Sequence, residues 1–236
     1  MTIIAELPIE KTAEVVAAGV TQNECRVPMS YEEFLKNVEE SAHAEWVNGE
    51  TILFMPPGTK HQQVVAFLLK LLGIYVDHAR LGELLAAPYE MKASPDSNAR
   101  EPDILFIANE HLDRLTENRL IGPADLIIEV ISPESVYRDR SDKFDEYEAA
   151  GVREYWVVDA RLGKERADFW VLDDGGRYRG ALPDANGVYH ASVIPGFTLK
   201  VAWLWAAEKP SPLLAFAEMA GFSAEIIEVL RKGPQA

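Results

Sequence analysis

The residues best placed to do chemistry are two acids set where acids are costly. Glu129 interrupts Asp125-Leu126-Ile127-Ile128-Glu129-Val130-Ile131, a run that is apolar on both faces, as a buried central strand would be. A carboxylate there is paired, hydrogen-bonded or metal-bound, or else sits at a strand end and reaches solvent. Asp103 repeats the theme in Pro102-Asp103-Ile104-Leu105-Phe106-Ile107, an acid opening an apolar strand directly after a proline. Alone, Pro-Asp is a turn signal, and its weight comes from the second acid on a neighbouring strand. Lys143 supplies a third element. Val136, Arg140, Lys143, Tyr147 and Ala150 recur at helical spacing and define one face. A lysine on that face lies near the carboxylates or, alternatively, snorkels to water.

These residues need elements to carry them. Ser30-Tyr31-Glu32-Glu33 reads as a capping box that opens a short helix to about Val38. Asn48-Gly49 separates Ala44–Val47 from Glu50–Met55, a hairpin signal because both turn residues tolerate positive φ. Thr59-Lys60-His61-Gln62 reads as a second capping box, starting a long helix with an apolar stripe of Val64, Val65, Leu68, Leu69, Leu72 and Val76. Strands are expected over Glu83–Met91, Pro102–Ala108 and Asp125–Ile131. A polar helix follows over Asp139–Ala150, stopped by Gly151, and then a strand over Arg153–Asp159. Asp168–Leu172 and Arg177–Leu182 flank Asp173-Asp174-Gly175-Gly176 as a further hairpin, Val188–Ile194 continues the β-rich part, and Pro212–Leu230 reads as helix.

Composition narrows the class. The chain has 236 residues, 48% hydrophobic and 26% charged, the profile of a globular protein rather than a disordered one. It holds no apolar run long enough to span a bilayer, and the first residues do not read as a signal peptide, so no membrane partner is expected. Cys25 stands alone, which excludes an internal disulfide and fits a cytoplasmic location. The net charge of −15 argues against coating nucleic acid with the whole surface, but not against meeting it at one local site. Without repeats or a low-complexity linker, the expected organisation is an arm over residues 1–27, one domain over 28–205, and a helical tail over 206–236 packed on that domain.

Together, several segments resemble the PD-(D/E)xK nuclease superfamily and, more closely, the bacterial Uma2 (DUF820) family of restriction endonucleases. They are Arg100-Glu101-Pro102-Asp103, Asp125–Ser135, Asp139 with Lys143 and Tyr147, and Ala150–Asp159, with Ala44–Glu50 and His61 upstream. The resemblance spans roughly residues 29–205. It implies an α/β (α+β) restriction-endonuclease-like core: a central mixed sheet flanked by helices, with an N-terminal hairpin and a β-rich C-terminal extension. It also implies a Mg²⁺-dependent (Mn²⁺ possible) endonuclease acting on DNA. Asp103 and Glu129 would hold the metal, and Lys143 would act on the phosphate or help deprotonate the attacking water. The sequence departs from the superfamily pattern at Ile131, where lysine is expected two residues after the strand glutamate, and Lys143 takes that role from the following helix.

Three further residues carry two readings each. Glu45, opposite Ile52 in the hairpin, assists metal binding or is a strand-edge charge. His61 reaches the site from the helix N-terminus or is solvated. Tyr147 positions Lys143 or belongs to the core. A homodimer is compatible with duplex cleavage, which often pairs two sites. The competing functional reading is a non-catalytic or weakly active interaction module that keeps the nuclease fold.

Overall fold

The computed structural model describes residues 24–39 and 42–232; the expectations for residues 1–23 and 233–236 lie outside the described residues. The first sheet is built around β1 (Glu24–Pro28), β2 (Ala44–Val47) and β3 (Glu50–Phe54), with α1 (Tyr31–Asn37) after β1. Ser30 and Glu33 cap α1 reciprocally, each side chain taking the other's backbone N–H. Asn48 and Gly49 take φ values of 51° and 84°, the positive pair that a two-residue hairpin requires, and Glu45 lies opposite Ile52.

Next come α2 (Thr59–Ala79), β4 (Gly82–Ala86), β5 (Glu90–Lys92), β6 (Ala99–Arg100), β7 (Ile104–Ala108), β8 (Arg119–Ile121) and β9 (Leu126–Val130). The remaining elements are α3 (Lys143–Ala150), β10 (Glu154–Asp159), β11 (Arg166–Leu172), β12 (Tyr178–Ala181), β13 (Val188–His190), β14 (Thr198–Lys200), α4 (Pro212–Met219) and α5 (Ala224–Lys232). The central mixed sheet has the order β12-β11-β10-β9-β7-β4, with β9 parallel to β10 and antiparallel to β7. The hairpin joins a second sheet, β1-β3-β2-β6-β5-β8.

Strand alternation splits the core across the central sheet. Ile104, Phe106, Leu126, Ile128, Val130, Trp156 and Val158 pack on one face against Val64, Leu68, Leu71, Leu72 and Val76 of α2, together with Phe197 and Phe216. Leu105, Ile107, Ile127, Ile131, Tyr155 and Val157 pack on the other face around Tyr147 of α3. Glu129 has the parity of Ile127 and Ile131, so it points to the α3 side.

Several sequence expectations are corrected. The second capping box does not form: Gly58 is the N-cap of α2, without a side-chain cap bond, and Thr59 is already helical. Glu83–Met91 is not one strand. It divides around Pro88, which has no N–H to continue a ladder, and β4 and β5 enter different sheets. The helix expected from Asp139 begins as a π-helical turn over Arg138–Asp142, with the Lys143 N–H donating to Arg138 C=O. Val188–Ile194 contributes β13 alone, which pairs with β14 as a separate two-stranded sheet. Pro212–Leu230 is two helices, α4 and α5, broken where Gly221 adopts φ 72°.

Gly82 opens β4 with φ 154°, and a Cβ built there would lie 2.0 Å from Ile107 O. Gly82→Ala therefore forces the edge strand away from β7. We expect a loss of about 2 kcal/mol or more in urea unfolding, at the strained end of single substitutions.

Candidate active site

Asp103 and Glu129 are brought together by the β7–β9 ladder. Ile104 pairs with Ile128, so Asp103 and Glu129 occupy the next step along the two antiparallel strands. The ladder is closed there by a side chain: Asp103 Oδ2 accepts the Val130 N–H at 2.7 Å. Asp103 stays partly open to solvent, whereas Glu129 is buried.

Lys143, the first residue of α3, reaches Glu129. Its Nζ lies 2.7 Å from Glu129 Oε1 and 2.9 Å from Glu45 Oε1, with Asp139 Oδ1 at 3.8 Å. It is only 3% exposed, so the snorkelling alternative does not apply. Ile131, at the position where lysine is expected, packs in the core face around Tyr147. Tyr147 is both core and polar partner. Its ring meets Tyr155 edge-on at 5.1 Å, and its hydroxyl donates to the same Glu129 oxygen at 3.0 Å. It contacts Glu129 directly, rather than acting as a brace for Lys143. Arg140, expected on the Lys143 face, pairs instead with Asp168 on β11.

Glu45 is no strand-edge charge, because β2 lies between β3 and β6 and the residue is 1% exposed. Its second oxygen accepts from Arg100 at 2.8 Å, and Arg100 also binds Glu146 through two nitrogens. His61 is not solvated either: its Nε2 lies 3.1 Å from Asp103 Oδ2, and its buried Nδ1 has no hydrogen-bond partner. The structure thus brings Glu45, Glu129, Lys143 and Tyr147 into contact, with the His61–Asp103 pair opposite Glu129 along the ladder.

Sequence reasoning had not assigned roles to Asp139 or Arg100. Asp139 is buried four residues before Lys143, a spacing at which acid and lysine meet on a helix, and that was the available signal. Arg100 offered no local signal, since its partners are 55 and 46 residues away.

The electrostatics follow from crowding four carboxylates around few cations. Burial pushes Glu129 up to about 8; Lys143 opposes this, while Asp139, Asp103 and Glu45 add to it. Burial raises Asp139 as well, against Lys143, Ser135 and Arg138. Burial would raise Glu45 too, but Lys143, Arg100 and Arg138 outweigh it and hold the carboxyl below its usual range. For Lys143, burial favours the neutral amine, yet Glu129, Glu45 and Asp139 win and raise it. Its charged form is therefore the favoured one. Burial would lower His61, but the hydrogen bond and charge of Asp103 raise it.

Whether a cation fits can be judged from the donors. Among the described residues, no group of three or more His, Cys, Asp or Glu side chains could hold a metal ion as they stand. Lys143 Nζ takes oxygens of both Glu45 and Glu129. The donor chemistry nonetheless suits a hard divalent cation: Asp103, Glu129 and Asp139 offer only carboxylate oxygens, and buried Asp139 Oδ1 has no hydrogen-bond partner.

Two stability outcomes follow. Lys143→Met removes the ammonium that Glu129, Asp139 and Glu45 share, leaving Glu45 only Arg100, and we expect a loss of about 3–5 kcal/mol in urea titration near neutral pH. The second concerns Glu129, whose ordinary value is 4.5. Between that pH and about 8 the folded chain holds a proton the unfolded chain has released, so stability falls as pH rises through this window. Unfolding series at several pH values should show that fall in the parent chain and a flatter profile in Glu129→Gln.

Comparison with known proteins gives the family and the fold. No match was found among curated proteins. Among solved structures, the chain is similar to a "putative nuclease belonging to DUF820" from Anabaena variabilis ATCC 29413, with a TM-score of 0.60 and 16% identity over 75% of this chain and 98% of that one. At that identity the likeness shows a shared fold. The family model described as "Uma2: Putative restriction endonuclease" matches residues 31–202, which include every residue of the cluster. The chain belongs to the Uma2 family.

Proposed function

We propose that the chain is a metal-dependent endonuclease that hydrolyses phosphodiester bonds of DNA, with the PD-(D/E)xK arrangement built from Asp103, Glu129 and Lys143. The observation that carries this reading is the contact of Lys143 Nζ with Glu129, which lies opposite Asp103 along the β7–β9 ladder. Asp103 and Glu129, with Asp139 beside them, would hold Mg²⁺ or Mn²⁺. When bound, the ion lowers the pKa of a water and stabilises charge developing on the phosphate. The excess of carboxylates over cations supports this, because a divalent ion relieves the repulsion that otherwise favours a proton on Glu129.

The chain's own residues have distinct tasks. Tyr147 and Lys143 fix one oxygen of Glu129, leaving its orientation determined before substrate arrives. Arg100 engages Glu45, so that Glu45 does not fully neutralise Lys143. Lys143 supplies positive charge toward a phosphate that enters beside Glu129. His61 stands with Asp103 at the less buried end of the site, where its Nε2 contact with Oδ2 orients that carboxylate. A homodimer would let two such sites cut both strands of a duplex.

One observation favours the second reading, a weakly active or non-catalytic interaction module: Lys143 is buried and ion-paired on two sides, so its charge is partly spent within the protein. Supercoiled plasmid separates the two. The nuclease reading expects nicking with Mg²⁺ or Mn²⁺, none in EDTA, and a loss of about 10²-fold or more in Glu129→Gln. Intact plasmid at all metal concentrations, with DNA binding retained, would establish the module instead.

A further inference from the structure

Beyond the acid cluster, this chain of net charge −15 carries a cleft with basic residues on its wall. α2 and the segment 206–212 enclose a cleft of about 430 Å³ whose lining includes Gln63, Phe67, Lys70, Lys209 and Ser211. Among the described residues, neither Lys70 nor Lys209 has a carboxylate within ion-pair distance, and the same holds for nearby Lys60. In a chain with 38 acids and 23 basic residues, the wall of this cleft carries two lysines, with Lys60 close enough to Lys209 for their charges to interact. Lys209 is held at the wall by one bond from Nζ to Leu204 C=O at 2.9 Å, which leaves two donors unspent. Burial and the charge of Lys60 both lower it, as expected for cations kept close without an anion.

Helical geometry connects this cleft to the acid cluster. At about 100° per residue, Gln63 and Lys70 lie within about 20° of each other on α2. Lys60 lies about 60° from Gln63, and His61 about 100° beyond Lys60. Lys60 therefore stands on the helix circumference between the side where His61 meets Asp103 and the side that lines the cleft. The first turn of α2 contains no acid to repel an anion passing over it. From Lys60 to Lys70 the helix advances about 15 Å, close to four nucleotide steps along a duplex axis.

We infer that this cleft binds the phosphate backbone of a nucleic-acid strand that leaves the candidate active site past Lys60, with Lys70 and Lys209 holding phosphates that are not cut. The inference rests on the nuclease reading of the acid cluster and extends it to the path of the substrate. Such contacts position the strand and carry no base specificity. Neither lysine touches the reacting atoms, so they act on binding and not on the chemical step.

The test uses the full chain and a labelled DNA duplex, with anisotropy read across a salt series, and then steady-state cleavage. Lys70→Gln/Lys209→Gln should weaken binding about tenfold or more. It should also reduce the slope of log affinity against log salt by about 1.8, as expected when two phosphates are no longer neutralised. Cleavage should show a raised KM with kcat retained. The charge-matched control Lys36→Gln/Lys164→Gln, at exposed lysines elsewhere, should leave the affinity within about twofold. If the parent chain binds or cleaves DNA and the cleft variant matches it in affinity, salt slope and KM, the cleft inference is overturned while the reading of the acid cluster stands. A parent chain that neither binds nor cleaves DNA overturns both.

Discussion

A protonated amine cannot persist away from water unless anions replace its hydration, and Lys143 is a buried cation of this kind. Its partners come from three parts of the chain: Glu45 from β2, Glu129 from β9 and Asp139 from the π-helical turn. The hairpin sheet, the central sheet and the start of α3 are thus tied at one charged point. Arg100 on β6 extends the tie to Glu146 on α3, so both sheets grip the helix through ion pairs as well as through apolar packing. Glu45 and Glu129 are each held by groups from other elements, which makes the site a property of the assembled fold.

The same crowding leaves the cluster poised. Two other buried acids in this chain are fully engaged by donors. Glu154 accepts from Trp156, Tyr189 and the Ser192 and Val193 N–H groups, and Asp125 is engaged by His111, Ala108 N–H and Arg153. Those carboxylates have their hydrogen bonds supplied by fixed donors, as structural acids do. The cluster at Lys143 differs, because Glu129 and Asp139 compete for one ammonium and both are pushed up by burial. Surplus acid charge costs stability in the folded chain and marks the place where a cation from solution has most to contribute.

Charge distribution reconciles an acidic chain with a nucleic-acid partner on the proposed reading. The overall −15 keeps non-specific binding weak, since attraction to phosphate depends on local cations. Lys60, Lys70 and Lys209 gather along α2, and from the N-terminal end of that helix His61 reaches Asp103. An anionic strand would find attraction there and repulsion over most of the remaining surface, which favours one approach over many.

Local patterns determined a good part of this protein. The two-sided apolar run around Glu129, the Asn48-Gly49 turn, the Ser30 cap and the stop at Gly151 are all decided within a few residues, and each forms where the sequence alone points. Asp103, Glu129 and Lys143 were legible because an acid in an apolar strand, or a lysine on a packing face, is anomalous in place. What tertiary structure decided is which anomalies meet. Glu154 is as buried in its strand as Glu129, yet one is silenced by backbone and ring donors and the other faces a lysine. Local propensity also missed the division of β4 from β5 and the π-helical turn before Lys143, because sheet membership and helix register are settled by packing. Arg100 was invisible for the same reason: an ion pair across 55 residues depends on the register of strands brought together by the fold, and no spacing along the chain encodes it.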